Sequence, residues 1–302
     1  MWWLFAAIAS YTLLAVASLI DKVLLSGKLS NPKIYAFYVG ILSAVAFLLL
    51  PLGAWANPAP LLFLTGIAAG AAQIYGSFFY LSALQKLEAS RAVPIIGGLV
   101  PIFGFFLTVA VSGGVELLDS KELAGFFLLI LGSWLIMANG IRIKSNQLGY
   151  ILGASLLFAA SVVLAKLVYL QLSFIPGFVL MAFGSTLAAI SFMSSRAVRA
   201  AVFGHHRAKD AGQPSPLFFV GQAMGGLAFM TQSLAVSMAP QANVPVINAM
   251  AGVQYVFIFT FSFFLARHYP KLFREKKHPA AVAKKLFAIV LLMVGLAIFA
   301  IN

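Results

Sequence analysis

Val93-Pro94-Ile95-Ile96 returns 151 residues later as Val244-Pro245-Val246-Ile247, and around these two turns the second half of the chain rewrites the first. Nearer the start the offset is 144, so Lys22 answers to Lys166, Pro32 to Pro176, Gly40 to Gly184 and Ala44 to Ala188. Nearer the end it is 163, where Gly132 matches Gly295. Each copy holds five apolar segments of membrane length, with 1–145 and 146–302 as the two units. Five is odd, so the copies must cross a bilayer in opposite directions. The expected fold is an all-α membrane protein of ten transmembrane helices, built as two inverted five-helix repeats.

Composition points the same way. With 62% hydrophobic and 9% charged residues among 302, the chain has too little polar surface to cover a water-soluble globule. A helical crossing takes about 20 apolar residues, and the segments fall at 2–20, 33–52, 60–84, 89–112, 121–138, 148–172, 174–193, 216–238, 242–266 and 284–301. Two connectors are long, 196–215 and 267–283, and they account for the two widenings of the repeat offset. The apolar start lacks a basic leader and a small-residue cleavage site, so it reads as a retained span and not as a signal peptide. No cysteine is present, and His205, His206, His268 and His278 sit in connectors without a carboxylate cluster, so neither a metal nor another cofactor is expected.

The net charge of +13 is distributed by side. Connectors after the odd-numbered segments hold nearly all the Lys and Arg, while the opposite side has Lys121 beside Glu116 and Asp119. Basic residues resist translocation, so the odd connectors are expected in the cytoplasm and both termini outside a cytoplasmic membrane. The dense basic run 267–285 fits anionic lipid on the inner leaflet. With no stacking aromatics among these charges, nucleic acid is not an expected partner. Whether the chain acts as a monomer or a homodimer is open at this stage.

Lys166 stands alone as a charge between Leu148 and Ser173. A lysine at membrane depth turns to the bundle interior, where it would attract an anion, or snorkels to the nearer interface; both readings stay open. Gln73, Ser77 and Tyr80 share one face of the third segment, and Gln222, Gly225, Phe229 and Gln232 nearly share one face of the eighth. Such stripes are either glue between helices or the lining of a wet cavity. Pro94 and Pro245 begin the matched turns, where a broken helix would free carbonyls for a ligand, with Pro101, Asn248 and Gln254 deeper in the same segments. Glycines spaced by four (Gly66 with Gly70, Gly149 with Gly153, Gly221 with Gly225) read as close-packing positions. No acid lies inside a span, which favours facilitated transport or exchange over proton coupling and disfavours cationic substrates; Asp21, beside Lys22, is the remaining coupling candidate.

Two five-helix units, the Val-Pro-Ile-Ile turn, Glu116 after the fourth segment, Gly132 in the fifth and Ile20-Asp21-Lys22 closing the first together resemble the EamA-like branch of the drug/metabolite transporter superfamily. The resemblance covers the whole chain. It implies a permease whose cavity lies among segments 3, 4, 8 and 9, with 1 and 6 contributing, and a functional lysine at Lys166. Arg267 departs from it, standing where the second repeat would match Glu116. The outside termini depart too, since many members keep theirs in the cytoplasm.

The function expected from these residues is an alternating-access permease that exports or exchanges a small polar metabolite, an amino acid or related carboxylate. Lys166 would attract the carboxylate, and Gln73, Tyr80, Gln222, Gln232, Asn248 and Gln254 would hold polar edges. An enzyme is not expected, since no nucleophile with a base lies at membrane depth. A non-transporting scaffold or receptor, or a channel, is the alternative.

Overall fold

A computed structural model describes residues 2–25, 31–53, 58–86, 89–113, 118–137, 145–203, 216–268 and 279–301. It is 93% helical, with no strand among these residues. The helices are α1 (Trp2–Leu25), α2 (Pro32–Leu42), α3 (Pro60–Lys86), α4 (Ala89–Ser112), α5 (Ser120–Met137), α6 (Ser145–Tyr169), α7 (Phe174–Ser191), α8 (Arg196–Phe203), α9 (Pro216–Met238), α10 (Val244–Ala249), α11 (Ala251–His268) and α12 (Pro279–Ile301). Glu116, His205, His206, His278 and most of the basic run 267–285 lie outside the described residues, as do the side chains of Lys22 and Pro94.

Among the described residues, seven helical stretches are long and apolar enough to cross a membrane by length and composition, and Phe287–Phe299 is a shorter apolar helix. The outer surface agrees with a bilayer: Trp2, Leu48, Leu61, Phe106 and Met293 are each more than half exposed. A water-soluble monomer does not cover itself with apolar side chains on this scale.

The helices pair antiparallel along seams of small residues. Gly76 of α3 sits against Phe158 of α6, and Gly153 of α6 sits against Phe79. Near the end of α3 the Gln147 amide donates to the Lys86 carbonyl at 2.9 Å. On α1 and α9, Ile20 meets Gly221 at one end and Tyr11 meets Gln232 farther along. Gly125 and Gly132 of α5 face Phe299 and Leu292 of α12. Helix α7 crosses α2 and α3 so closely that a Cβ on Gly70 would collide with the Met181 carbonyl and one on Gly184 with the Ile67 backbone. Ser185 seals that crossing by donating to the Gly70 carbonyl at 3.1 Å.

Four local features differ from the sequence expectation. The second segment is α-helical only to Leu42 and continues as a 3-10 helix over Ser43–Leu52, ending around Pro51, which lacks an amide donor. The connector after α7 begins with the amphipathic helix α8, which buries Val198 beside Ile34 and Tyr35 and leaves Arg196 and Arg199 exposed. The other two concern the matched proline turns. Pro94 does not open its helix: α4 runs unbroken from Ala89 through Pro94 and Pro101. Pro245 does open α10, in the first turn where no amide donor is needed, but the break comes later, at Met250 with φ −65° and ψ −4°. Of the two proline turns, only the one in the second half lies in an interrupted helix, and Pro245 is not the cause of the interruption.

Candidate functional site

Tyr11, Leu14, Ser18 and Asp21 follow one another along α1 at spacings of three or four, which puts them on one face. That face meets α9 and α11, and its polar groups are met by polar groups. At the deepest level Tyr11, 4% exposed, donates from its hydroxyl to the Ile247 carbonyl at 2.7 Å. This carbonyl lies in the last turn of α10, where the break leaves it without a helical donor. The Gln232 amide of α9 donates to the same Tyr11 oxygen at 3.2 Å. About two turns along, the Gln254 amide of α11 donates to Ser18 Oγ at 2.8 Å and reaches the Leu14 carbonyl at 3.5 Å.

The third level is at the connector end of α1. Tyr35 of α2 donates its hydroxyl proton to Asp21 Oδ1, and Gln222 of α9 donates to the Tyr35 oxygen at 3.0 Å. Tyr80 of α3 lies within electrostatic reach of both Asp21 and Tyr35. Gly221, next to Gln222, lets α9 approach Ile20 and Asp21 closely. An aromatic pair backs this level, Tyr35 edge-on to Phe218 with ring centroids 5.5 Å apart.

Lys166, 5% exposed, points inward from the last turn of α6. Its ammonium donates to the Ala239 carbonyl at 2.5 Å and to the Ser237 carbonyl at 3.4 Å, so it caps the C-terminal end of α9. A cation is favoured there by the unpaired carbonyls and the helix dipole. Lys166 therefore does not snorkel. One residue before it, Ala165 joins Ser161, Val162, Phe229, Gln232, Ser233 and Val236 around a narrow cavity of ≈10 Å³ between α6 and α9, at the lower limit for one water. Phe178 and Phe174 extend an aromatic row from Phe229 to Tyr169 behind this space.

The remaining predicted positions stand apart. Asn248, 2% exposed, packs against Gly104 of α4, and its Nδ2 has no hydrogen-bond partner among the described residues. Gln73 is half-buried seven residues before Tyr80 on α3, about 10 Å away along the axis, and belongs to none of the three levels. The seam thus unites Asp21, Gln222, Tyr80, Gln232 and Gln254, and adds Tyr11, Ser18 and Tyr35, which the sequence reading missed. The missed signal was the spacing of Tyr11, Ser18 and Asp21 along α1, the same argument that picked out α3 and α9. Among the described residues, no group of three or more His, Asp or Glu is placed to hold a metal ion.

No protein-family model matches the chain, and no curated protein matches it. Among solved structures, a crystal structure aligns over 99% of this chain and 95% of its own, with a TM-score of 0.65 at 17% identity. At that identity the likeness is one of fold.

Proposed function

We propose that this chain is an alternating-access permease of a cytoplasmic membrane, with ten spans in two inverted five-helix repeats of the EamA-like type, moving a small polar metabolite by export or exchange. The observation that carries the reading is the seam itself. Polar side chains of α1 take their partners from α9, α10 and α11, in the other half of the chain, through separate hydrogen bonds of about 1 kcal/mol net each. Contacts of that size break and re-form as one half rocks against the other.

Two reciprocal sets of contacts support the repeat. Tyr11 donates to the carbonyl of Ile247, and its counterpart 144 residues on, Ser155, reaches at 3.4 Å the carbonyl of Ile96, the counterpart of Ile247 at offset 151. At offset 163, Gly132 faces Leu292 and Ala288 while Gly295 faces their counterparts Leu129 and Gly125. Mutual exchange of partners is what a two-fold relation between the halves requires. The basic connectors, by the positive-inside argument, would lie in the cytoplasm and the termini outside.

The cavity between α6 and α9, ≈10 Å³, is far below the ~300–1,000 Å³ usual for ligand pockets. Substrate would therefore enter as α9 draws away from α1 and α6. An amino acid or related carboxylate remains the favoured class, and the structure adds a condition. The Lys166 ammonium serves the end of α9 in this conformation, so a carboxylate would compete with those carbonyls for it. Anionic lipid at 267–285 belongs to the same reading.

Counterflow tests it. Purified protein in liposomes preloaded with one unlabelled amino acid at a time should accumulate the same amino acid in radiolabelled form from outside, above empty liposomes. Saturable accumulation supports the permease, single-channel conductance would favour a channel, and absence of both across a broad set of metabolites would favour a scaffold or receptor.

A further inference from the structure

Seven acids occur in the chain. Glu88, Glu116, Asp210 and Glu275 lie outside the described residues. Asp119 and Glu122 are used at the start of α5, where each carboxylate accepts from the other's amide at 2.7 and 3.1 Å in a capping box. Asp21 alone remains, inside an apolar helix and tied to both halves of the protein.

Its wiring has a direction. With the carboxylate ionised, Gln222 donates to the Tyr35 oxygen and Tyr35 donates to Asp21 Oδ1. Each group then plays the one role its neighbour needs, and the Tyr35 bond is charge-assisted, roughly twice as strong as a neutral one. A proton on Asp21 removes the charge from the last link. The neutral carboxyl keeps an acceptor oxygen, but the Tyr35 bond loses its charge assistance and about half its strength. The tie between α9 and the α1–α2 pair is weakened with it.

We infer that Asp21 is a proton-binding site that controls opening of the connector end of the seam, so that proton uptake from the connector side releases α9 from α1 and α2. The inference rests on the permease reading, and it makes transport there proton-linked where the scarcity of acids favoured simple facilitation or exchange. The proton comes from water on the connector side and returns to water when the seam closes; no other covalent bond changes. The groups placed around Asp21 are Tyr35 from α2, Tyr80 from α3 and Gln222 from α9; Lys33 is exposed at the start of α2, and Lys22 follows Asp21 in the chain. Arg196 and Arg199 of α8 are exposed, and Lys86 at the end of α3 is held over the Tyr150 ring at 4.3 Å.

The chain has no cysteine, so a labelled pair can be introduced without background. Ala200 on α8 and Leu217 on α9 are both exposed at this end. Full-length Ala200→Cys/Leu217→Cys protein, spin-labelled and reconstituted in phosphatidylethanolamine and phosphatidylglycerol vesicles, reports their separation by electron double resonance as pH is varied. The expected result is a longer-separation population that grows as pH falls, its ratio to the shorter one changing by up to about tenfold per pH unit, the limit for one linked proton. Asp21→Asn, which is uncharged at every pH, should hold the longer separation throughout, and Asp21→Glu should keep the response. A separation that ignores pH in the parent pair overturns the proposal, as does a full response in Asp21→Asn. Should that variant not fold, Tyr35→Phe, which removes both links at once, should give the longer separation irrespective of pH. Counterflow alongside a pH-insensitive separation removes the proton site and leaves the permease; a pH-driven separation with no flux for any metabolite does the reverse.

Discussion

The Tyr11 hydroxyl holds two elements of the opposite half, donating to the Ile247 carbonyl and accepting from Gln232. In Tyr11→Phe the ring still fills its place, but a buried carbonyl and a half-buried amide lose their partner. The expected loss is about 1–3 kcal/mol, read as a lower thermal midpoint of the purified protein. Combining it with Gln232→Leu should cost less than the sum of the two single changes, because both remove the same bond. Lys166→Met tests the cap on α9 in the same way. It keeps the bulk of the chain and removes the charge-assisted bonds to Ala239 and Ser237, so a loss of about 1.5–3 kcal/mol is expected, whereas a snorkelling lysine would leave stability unchanged. How these residues read in the sequence follows from their chemistry. An amide, an acid or a lone lysine in an apolar run needs a partner, so Gln222, Gln232, Gln254, Asp21 and Lys166 stood out. Tyr11 and Tyr35 did not, because among 28 phenylalanines and 9 tyrosines a ring in a helix reads as packing. Tyr11's role exists only because a backbone break at Met250 leaves the Ile247 carbonyl for it, and nothing at that position signals a break.

Glycines at the element level show how far spacing goes before packing decides. Gly66 and Gly70 are spaced by four, as are Gly221 and Gly225, and in sequence the pairs are equivalent. In the fold, Gly66 presses on the Leu180 side chain and Gly70 on the Met181 backbone, whereas Gly225 and its neighbour Gly226 have nothing within 4 Å of an added Cβ. Gly70→Ala should therefore force α3 from α7 and destabilise by about 1–3 kcal/mol, the usual range for overpacking. Gly226→Ala should be neutral or stabilise by up to about 1 kcal/mol, since alanine is the better helix former. Equal effects in thermal unfolding of the two variants would mean that α3 and α7 do not meet as described. The same limit applies to the proline turns. Segment ends were legible to within a few residues because apolar length fixes them, but α4 passes through Pro94 and Pro101 while α10 stops at Met250. Whether a proline breaks a membrane helix depends on what re-satisfies the freed carbonyl, and that partner comes from another helix.

At the scale of the whole molecule, the proposed mechanism makes one mechanical demand, that α1 and α9 part at the connector end during each cycle. Packed helices that never separate would leave the seam a structural joint, polar but immobile. Gly221 and Ile20 offer a direct way to tell these apart. A Cβ at Gly221 would lie 3.5 Å from that of Ile20, at the near edge of the ~3.5–4.5 Å that a disulfide spans. No native thiol competes for the bridge. In Ile20→Cys/Gly221→Cys, oxidation should abolish counterflow of whichever metabolite the parent protein exchanges, and reduction should restore it. Each single cysteine should be indifferent to both treatments. The bridge closes one end only, so substrate exchange at the other end should survive, and ligand-induced thermal stabilisation should persist in detergent, where that end stays accessible. Full counterflow with the bridge shown to be formed would mean that the α1–α9 seam does not open there. The reciprocal contacts of Tyr11 with Ile247 and Ser155 with Ile96 would then describe how the two halves are assembled, and the path for substrate would have to run elsewhere than between them.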